Sequence, residues 1–183
     1  SALCCAFGRS IAHSIYLMGV SAFDRFVQGI AAATPARRAV HVEVGANNGQ
    51  WSRRAFGQLC GPAARRAADQ QHLFIVFEPQ PRYYEPLMAI VNASNNRSSH
   101  VGSSGGPCRM ELLSAAAWTH DGTLVFSSNR DPRGAYVGAH KQRGQLGTSV
   151  VPAVDLGAYL RRVLRPEDLV FLKVDVEAGE FTL

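Results

Sequence analysis

The chain contains the stretch Asp168-Leu-Val-Phe-Leu-Lys-Val-Asp-Val-Glu-Ala-Gly-Glu180, in which an apolar run ends at carboxylates. Two further runs have the same form: His41-Val-Glu-Val-Gly-Ala-Asn-Asn-Gly49, which continues into a glycine turn, and Leu73-Phe-Ile-Val-Phe-Glu-Pro79. Such runs predict buried strands. In an open α/β sheet the carboxyl ends of the strands line one crevice. The sequence therefore predicts a crevice of acids and backbone amides, suited to a ligand with hydroxyl groups and positive charge.

The length and composition indicate one soluble globular domain. Its 183 residues suffice for a sizeable core, and shares of 46% hydrophobic and 18% charged residues argue against disorder. The apolar runs have the length of strands, so we expect no membrane span. The chain begins at Ser1, so we expect a processed protein or a fragment, and both the cytoplasm and a secretory lumen stay open as its compartment.

The net charge of +5 comes mostly from arginine, which supplies 17 of the 19 basic residues. Four arginine pairs are scattered along the chain, as expected for solvent faces of helices: Arg37-Arg38, Arg53-Arg54, Arg65-Arg66 and Arg161-Arg162. A nucleic-acid site would gather basic residues on one face. We therefore expect no nucleic-acid partner.

Cysteine usage gives no sign of a zinc site. The four cysteines, Cys4, Cys5, Cys60 and Cys108, lack the paired spacing of zinc ligands. Neighbours such as Cys4 and Cys5 rarely bridge each other, because the geometry is strained. Free thiols are therefore the expected state.

The chain divides into an N-terminal helical segment over 1–38 and a domain over 39–183. Apolar residues at helical spacing over 11–33 predict an amphipathic helix that packs on the domain. The domain begins with a strand at 39–44, followed by the glycine turn and a helix at 50–60.

A second strand at 73–77 leads into a helix that ends near Asn92. Residues 92–107 are rich in Ser, Gly and Asn and predict a surface loop. Two Asn-x-Ser sequons lie there, at Asn92 and Asn96, and would accept glycans in a secreted chain.

The rest of the domain gives weaker patterns until its last strand. Strands are predicted at 110–114 and 124–126, and residues 127–149, which have no apolar period, are expected to form a mobile excursion. Asp155 is the expected cap of a short helix, and the last predicted strand covers 169–174.

The alternation of strand and helix predicts a parallel sheet with right-handed crossovers. The first and last predicted strands would be neighbours, with the switch point of the sheet between them. The last strand would form an apolar edge, which is an aggregation hazard. We therefore expect the natural protein to continue beyond Leu183.

The turn Gly45-Ala-Asn-Asn-Gly49 favours a nucleoside without a polyphosphate. It is not G-x-G-x-x-G, and no G-K-[ST] phosphate loop occurs. Glu43 suits a cationic group, and Glu78 can accept hydrogen bonds from both ribose hydroxyls. S-adenosylmethionine combines a sulfonium, an ammonium group and a ribose diol. A solvated strand end or a helix cap explains each acid alone, whereas three in register favour this cofactor.

Four stretches resemble the successive signatures of the FkbM-type methyltransferases: Val42-Glu-Val-Gly-Ala-Asn-Asn-Gly49, Phe77-Glu-Pro-Gln-Pro81, Ala115-Ala-Ala-Trp-Thr-His-Asp-Gly122 and Leu172-Lys-Val-Asp-Val-Glu-Ala-Gly-Glu180. They occur in the family's order and cover residues 39–183. The resemblance implies a Rossmann-like, doubly wound, mainly parallel α/β sheet of the class I methyltransferase type, incomplete on its C-terminal side. It also implies S-adenosylmethionine-dependent O-methylation of a hydroxyl on a sugar or other small molecule.

The resemblance assigns roles to residues of this chain. The cofactor would be held by Glu43, Gly45, Asn47 and Gly49 at its methionine end, by Glu78 at its ribose, and by the backbone around Ser114 and Ala115 near its adenine. The family usually reads D-V-E-G-x-E after the last strand, whereas this chain has Ala178 before Gly179. Activity of this fragment alone stays an open question, since the family completes its sheet beyond this point.

Methyl transfer requires the acceptor oxygen in line behind the methyl carbon, and a nearby base assists it. Asp175 and Glu177 lie at the predicted switch point and are the candidates for that base. Two alternatives stay open: Asp175 ligates a divalent metal together with neighbouring carboxylates, or Asp175 caps the next helix and Glu177 lies in its first turn. No resident metal is predicted.

Two other classes of function remain. The first is a nucleotide-cofactor oxidoreductase, which the absent third glycine disfavours. The second is a non-catalytic scaffold that keeps the fold, which the three strand-end acids disfavour because a scaffold needs none of them. The acceptor would be selected by inserted loops such as 127–149, which carry no readable motif.

Overall fold

The computed structural model describes residues 38–61, 70–99, 108–129, 136–137 and 145–175. The predicted N-terminal helix at 11–33 lies outside these residues. The described elements are, in chain order, β1 (Ala39–Val44), α1 (Gln50–Cys60), β2 (His72–Phe77), a 3-10 turn (Pro81–Tyr83), α2 (Tyr84–Ser99), β3 (Cys108–Leu113), β4 (Ala116–Trp118), β5 (Gly122–Asn129), β6 (Tyr136–Val137), β7 (Gln145–Asp155), α3 (Leu156–Val163) and β8 (Leu169–Val174). None of the described helices is long and apolar enough to cross a membrane.

The main sheet has the order β3-β2-β1-β8, and its pairings are parallel. The predicted bounds of β1 and β8 agree with the structure, because strands buried on both faces appear in a sequence as continuous apolar runs. β1 and β8 are neighbours, which confirms the predicted pairing of the first and last strands. In this register Glu43 lies opposite Val76 on one side and Lys173 on the other.

An ion pair joins the start of β1 to the start of β8. Arg38 donates through Nε to Asp168 Oδ1 at 3.0 Å and through Nη2 to Oδ2, and Nη2 also donates to the carbonyl of Val163. The Asp168 side chain is fully buried and accepts a further hydrogen bond from the backbone of Arg165. Because a buried carboxylate is stable only when its oxygens have partners, this pair fixes how β8 enters the sheet beside β1.

Helices cover both faces of the main sheet. On one face, Phe56 of α1 and Leu87 of α2 belong to the same core cluster as Phe74 of β2. On the other face, Leu160 of α3 belongs to the cluster that includes Ile75 of β2. Adjacent β2 residues serve opposite faces because side chains alternate along a strand. The chain is therefore a mixed α/β fold with a mainly parallel sheet.

A second sheet has the order β4-β7-β5-β6. β5 and β7 pair antiparallel, so the expectation of an irregular excursion over 127–149 is wrong at both ends: β5 extends to Asn129 and β7 begins at Gln145. One face of this β5–β7 ribbon is exposed, with Val150 at 69% of its full accessibility, whereas Phe126 and Val151 on the other face are buried in a cluster with Ala116 of β4. From this apolar part the backbone ladder continues through polar residues such as Ser127 and Thr148, which give no apolar period in the sequence.

α2 continues to Ser99, so the prediction that residues 92–107 form a loop is wrong over their first half. Asn95 explains the extension. Its Nδ2 donates to the carbonyl of Met110 at 3.0 Å, and its Oδ1 accepts the backbone N–H of Met110 at 2.9 Å. A side-chain amide thus takes the place of a neighbouring strand along the outer edge of β3, and this tertiary contact outweighs the low helix propensity of the Ser and Asn residues.

Cys60 and Cys108 form a disulfide, so the prediction of free thiols is wrong for this pair. Cys60 ends α1 and Cys108 begins β3, and their Cα atoms lie 6.1 Å apart. The sequence separation of 48 residues gives no local signal. The two residues meet because β3 lies beside β2 and α1 packs over that part of the sheet.

Reduction of this disulfide should destabilise the fold. Closing a loop of 48 residues in the unfolded chain is expected to be worth about 2–4 kcal/mol. We expect the free energy of unfolding, measured by urea titration, to fall by that amount in the presence of a thiol reductant. The double variant Cys60→Ser, Cys108→Ser is the control and should be insensitive to the reductant. Equal stability of the oxidised and reduced wild type would contradict the expectation.

Candidate active site

Two acids, Glu78 and Asp175, directly follow β2 and β8, the two neighbours of β1, at one edge of the main sheet, which we call the carboxyl edge. Backbone hydrogen bonds extend the sheet past the ends of the strands: Gly45 N–H donates to Phe77 O at 3.0 Å, and Asp175 N–H donates to Val44 O at 2.9 Å. Glu78 N–H donates to Leu113 O in the same way. The glycine turn, Glu78 and Asp175 are therefore held side by side.

The turn after β1 requires left-handed backbone at three positions. Gly45, Asn47 and Gly49 have φ values of 84°, 52° and 70°. At Gly49 an added Cβ would also lie 2.6 Å from side-chain atoms of Leu87 and Ile90 on α2. This contact gives Gly49 a packing reason for its identity, separate from its predicted place in the cofactor site.

Glu78 ties the turn to the end of β2. Its Oε2 accepts the backbone N–H of Asn47 at 2.7 Å, and its Oε1 accepts the backbone N–H of Gln80 at 2.9 Å. The residue is buried, and this burial raises the pKa of its carboxyl group. The two hydrogen bonds favour the charged form in opposition to that effect. Glu78 therefore fixes the backbone conformation of the turn through Asn47.

Glu43 lies beneath the carboxyl edge and is 1% exposed. Ser52, in the first turn of α1, donates its hydroxyl to Oε2, and Lys173 Nζ lies 3.3 Å from Oε1. Burial raises the pKa of Glu43 to about 7, and Lys173 and Ser52 oppose that rise. Both oxygens of Glu43 thus have partners within the protein.

Lys173 joins the buried acid to an exposed one. Its Nζ lies 3.1 Å from Asp175 Oδ2, so one ammonium group bridges Glu43 and Asp175. The same Nζ lies 5.9 Å from the centre of the Trp51 ring, which stacks on Phe171. The Asp175 side chain is 66% exposed, so among Glu43, Lys173 and Asp175 it is the group that faces solvent. Its carboxylate is held in place and open to a ligand.

The remaining predicted residues are placed as follows. Ser114 is exposed and Ala115 is buried, and both follow the end of β3 at the carboxyl edge. Their place beside an adenine stays a prediction. Glu177 lies outside the described residues. Among the described residues, no group of three His, Cys, Asp or Glu side chains is arranged to hold a metal ion.

The sequence analysis assigned no role to Ser52 or to Lys173. A serine at the third position of a helix is commonplace, so its contact with Glu43 has no local signal. Lys173 does give a local signal, because a lysine inside a buried apolar run needs a partner for its charge. That partner is found only through the register of β8 against β1.

Replacement of Glu43 by Gln should change the pH dependence of stability. A carboxyl whose pKa rises from 4.5 in the unfolded chain to about 7 in the folded one contributes stability that is present below pH 4.5 and lost as the pH rises toward 7. The unfolding free energy of the wild type, taken relative to Glu43→Gln, should therefore fall by about 2 kcal/mol between pH 5 and pH 7. A difference that stays constant with pH would contradict this.

The pH dependence of the unfolding free energy must be compared between the wild type and the variant, because a buried histidine pair changes stability in the opposite direction over an overlapping pH range. His41 Nε2 and His72 Nδ1 lie 3.3 Å apart in the core. Burial lowers the pKa of His72 from 6.5 to about 4, so its contribution to stability is present above pH 6.5 and lost as the pH falls. The exposed Glu85 of α2 supplies the control variant, Glu85→Gln, for which we expect no such change.

Residues 43–183 of the chain match the family model of the Methyltransferase FkbM domain. The matched range is well over half of the chain and contains Glu43, the glycine turn, Glu78 and Asp175. Comparison with curated proteins and with solved structures found no significant match. On the family match, the chain belongs to the FkbM methyltransferase family.

Proposed function

We propose that this chain is a S-adenosylmethionine-dependent methyltransferase that acts on a hydroxyl oxygen of a sugar or other small molecule. The observation that carries the proposal is that Glu78 and Asp175 lie at the carboxyl edge around the turn from Gly45 to Gly49, with Glu43 buried beneath them and linked to Asp175 by Lys173. Membership of the FkbM family supports methyl transfer as the class of reaction.

The donor set of the carboxyl edge fits a cationic nucleoside. A carboxylate offers about four acceptor positions, and backbone N–H groups occupy one on each oxygen of Glu78. The remaining positions suit the two hydroxyls of a ribose. The left-handed turn beside it brings backbone at Gly45 and Asn47 to the same edge, where the methionine end would lie. Ser114 and Ala115, one strand further out, would border the adenine.

When bound, S-adenosylmethionine supplies a methyl group on a positively charged sulfur. Glu78 and the buried Glu43 would favour binding of that positive charge, and Lys173 limits the net charge of Glu43 and Asp175 so that these two acids stay close together. Glu43 positions Lys173 from below, because its carboxylate is buried and directed by Ser52. In this arrangement Glu43 is a positioning residue.

The acceptor hydroxyl would approach Asp175, whose carboxylate is exposed. Asp175 would accept the hydroxyl proton on its free oxygen, while Oδ2 stays bound to Lys173. Glu177, two residues further along the chain, is the second proposed base. This geometry requires no metal ion for the proton step.

Substitution of Glu78 should weaken cofactor binding. We expect calorimetric titration of S-adenosylhomocysteine into the natural full-length protein to give an affinity that Glu78→Ala lowers by at least tenfold, about 1.4 kcal/mol, since both the ribose acceptor and the anchor of the turn are lost. Glu85→Ala, an exposed acid on α2, is the matched control. Equal affinity of Glu78→Ala and wild type would argue against this site, and no binding by the wild type would favour a scaffold.

Substitution of Asp175 should slow transfer without weakening the cofactor. We expect Asp175→Asn to lower kcat by roughly 10²–10⁴-fold, the usual contribution of a general base, with the affinity for S-adenosylmethionine retained. The measurement is single-turnover methyl transfer from labelled cofactor to an acceptor found by screening sugars and small alcohols. Glu167→Gln, an exposed acid ahead of β8, is the control. Unchanged turnover would remove Asp175 as the base.

A further inference from the structure

Two features of the chain take no part in the proposed methyl transfer. One is the disulfide between Cys60 and Cys108. The other is the sequon Asn92-Ala93-Ser94 on α2. They are independent of each other in sequence and in chemistry, and both are characteristic of the same cellular route.

The disulfide bears on the compartment. Thiols stay reduced in the cytosol, whereas disulfides form and persist in oxidising compartments. A domain of this size, with a core on both faces of its sheet, does not need a cross-link to compensate for a small core. Cys60 and Cys108 are both buried and lie at the ends of well-formed elements. The pairing is thus built into the fold and is not an accident of two exposed thiols.

Asn92 has the position that an N-linked glycan requires. Leu87, Ile90, Val91 and Ser94 form the buried side of α2, whereas Asn92 is exposed. Its exposed neighbours on the helix include Ala89 and Ala93, whose small side chains leave room beside the amide.

A glycan at Asn92 would also leave the proposed active site free. α2 begins just after Glu78 at the carboxyl edge, and Asn92 lies eight residues beyond Tyr84, about 12 Å further along the helix axis. Asn95, one turn on, contacts Met110 near the amino end of β3. The amino ends of parallel strands lie at the edge opposite the carboxyl edge. The glycan would therefore lie toward the edge of the sheet opposite the carboxyl edge, away from the proposed active site.

We propose that this protein matures in an oxidising compartment of the secretory route and carries an N-linked glycan on Asn92. In the glycosylation step, Asn92 Nδ2 forms a bond to the anomeric carbon of a lipid-linked oligosaccharide pyrophosphate. The bond from that carbon to the pyrophosphate oxygen breaks, and the amide proton and the lipid pyrophosphate leave. In the second step, Cys60 and Cys108 each lose a proton and an electron to an oxidant disulfide, which is reduced to two thiols.

The test uses the full-length protein from the cells that naturally make it, treated with a thiol-alkylating reagent before lysis. Peptide mapping without reduction should give Cys60 and Cys108 in one cross-linked peptide. Peptide N-glycosidase in water labelled with oxygen-18 should convert Asn92 to labelled Asp, and the same digest without the enzyme should leave it as Asn. Asn95, which begins no sequon, is the internal control and should stay unlabelled.

A variant separates Asn92 from the second sequon. Expressed in the same cells, Asn92→Gln should show a smaller shift in electrophoretic mobility on glycosidase treatment than the wild type, whereas Asn96→Gln should retain the shift that comes from Asn92. The proposal is overturned if Asn92 of the wild type is unmodified, if the shift of Asn92→Gln is as large as that of the wild type, or if Cys60 and Cys108 are recovered as alkylated free thiols. None of these readouts depends on methyltransferase activity, so failure here is distinct from failure of the proposed reaction.

Discussion

The site depends on the burial of one carboxylate, Glu43, in the middle of the main sheet. An unpaired buried charge would be unfavourable by several kcal/mol, so the chain must supply partners from outside β1. Ser52 supplies one from the first turn of α1, and Lys173 supplies the other from β8. A one-residue slip of β8 would turn Lys173 to the opposite face of the sheet, so the pair also specifies the register of β8 against β1.

The same constraint connects the core to the surface. Lys173 binds Glu43 below and Asp175 above, so the exposed carboxylate of Asp175 is held by a contact that begins in the core. Glu78 has a comparable structural role on the other side of β1, where its carboxylate fixes the glycine turn by accepting the backbone N–H of Asn47. Groups held in this way need little rearrangement when a ligand binds, and preorganised electrostatics is the larger part of catalysis in many enzymes.

The parts of this fold that could be predicted from sequence are those that depend on local pattern. β1 and β8 were predicted to the residue because strands buried on both faces need continuous apolar runs. The parallel pairing of the two strands followed from the alternation of strand and helix. The carboxylates at the strand ends could be read in the same way, since a strand that stops at an acid places that acid at the edge of the sheet.

The parts that could not be predicted depend on contacts between distant segments. The second half of α2 is held by Asn95 against β3, and its own residues are poor helix formers. The β5–β7 ribbon buries apolar residues such as Phe126 and Val151, but the ladder beyond them runs through mainly polar residues, which give no apolar period. Cys60 meets Cys108 only because β3 lies beside β2 and α1 packs over that part of the sheet. The contact of Ser52 with Glu43 is of the same kind.

The central claim is that the carboxyl edge around β1 binds the methyl donor. The measurement that tests it most directly is a crystal structure of the full-length protein with S-adenosylhomocysteine. We predict that the ribose hydroxyls lie within hydrogen-bonding distance of Glu78, with the amino-acid end over the turn from Gly45 to Gly49 and the sulfur facing Asp175. A nucleoside bound away from this edge, or a ribose that contacts neither oxygen of Glu78, would contradict the account.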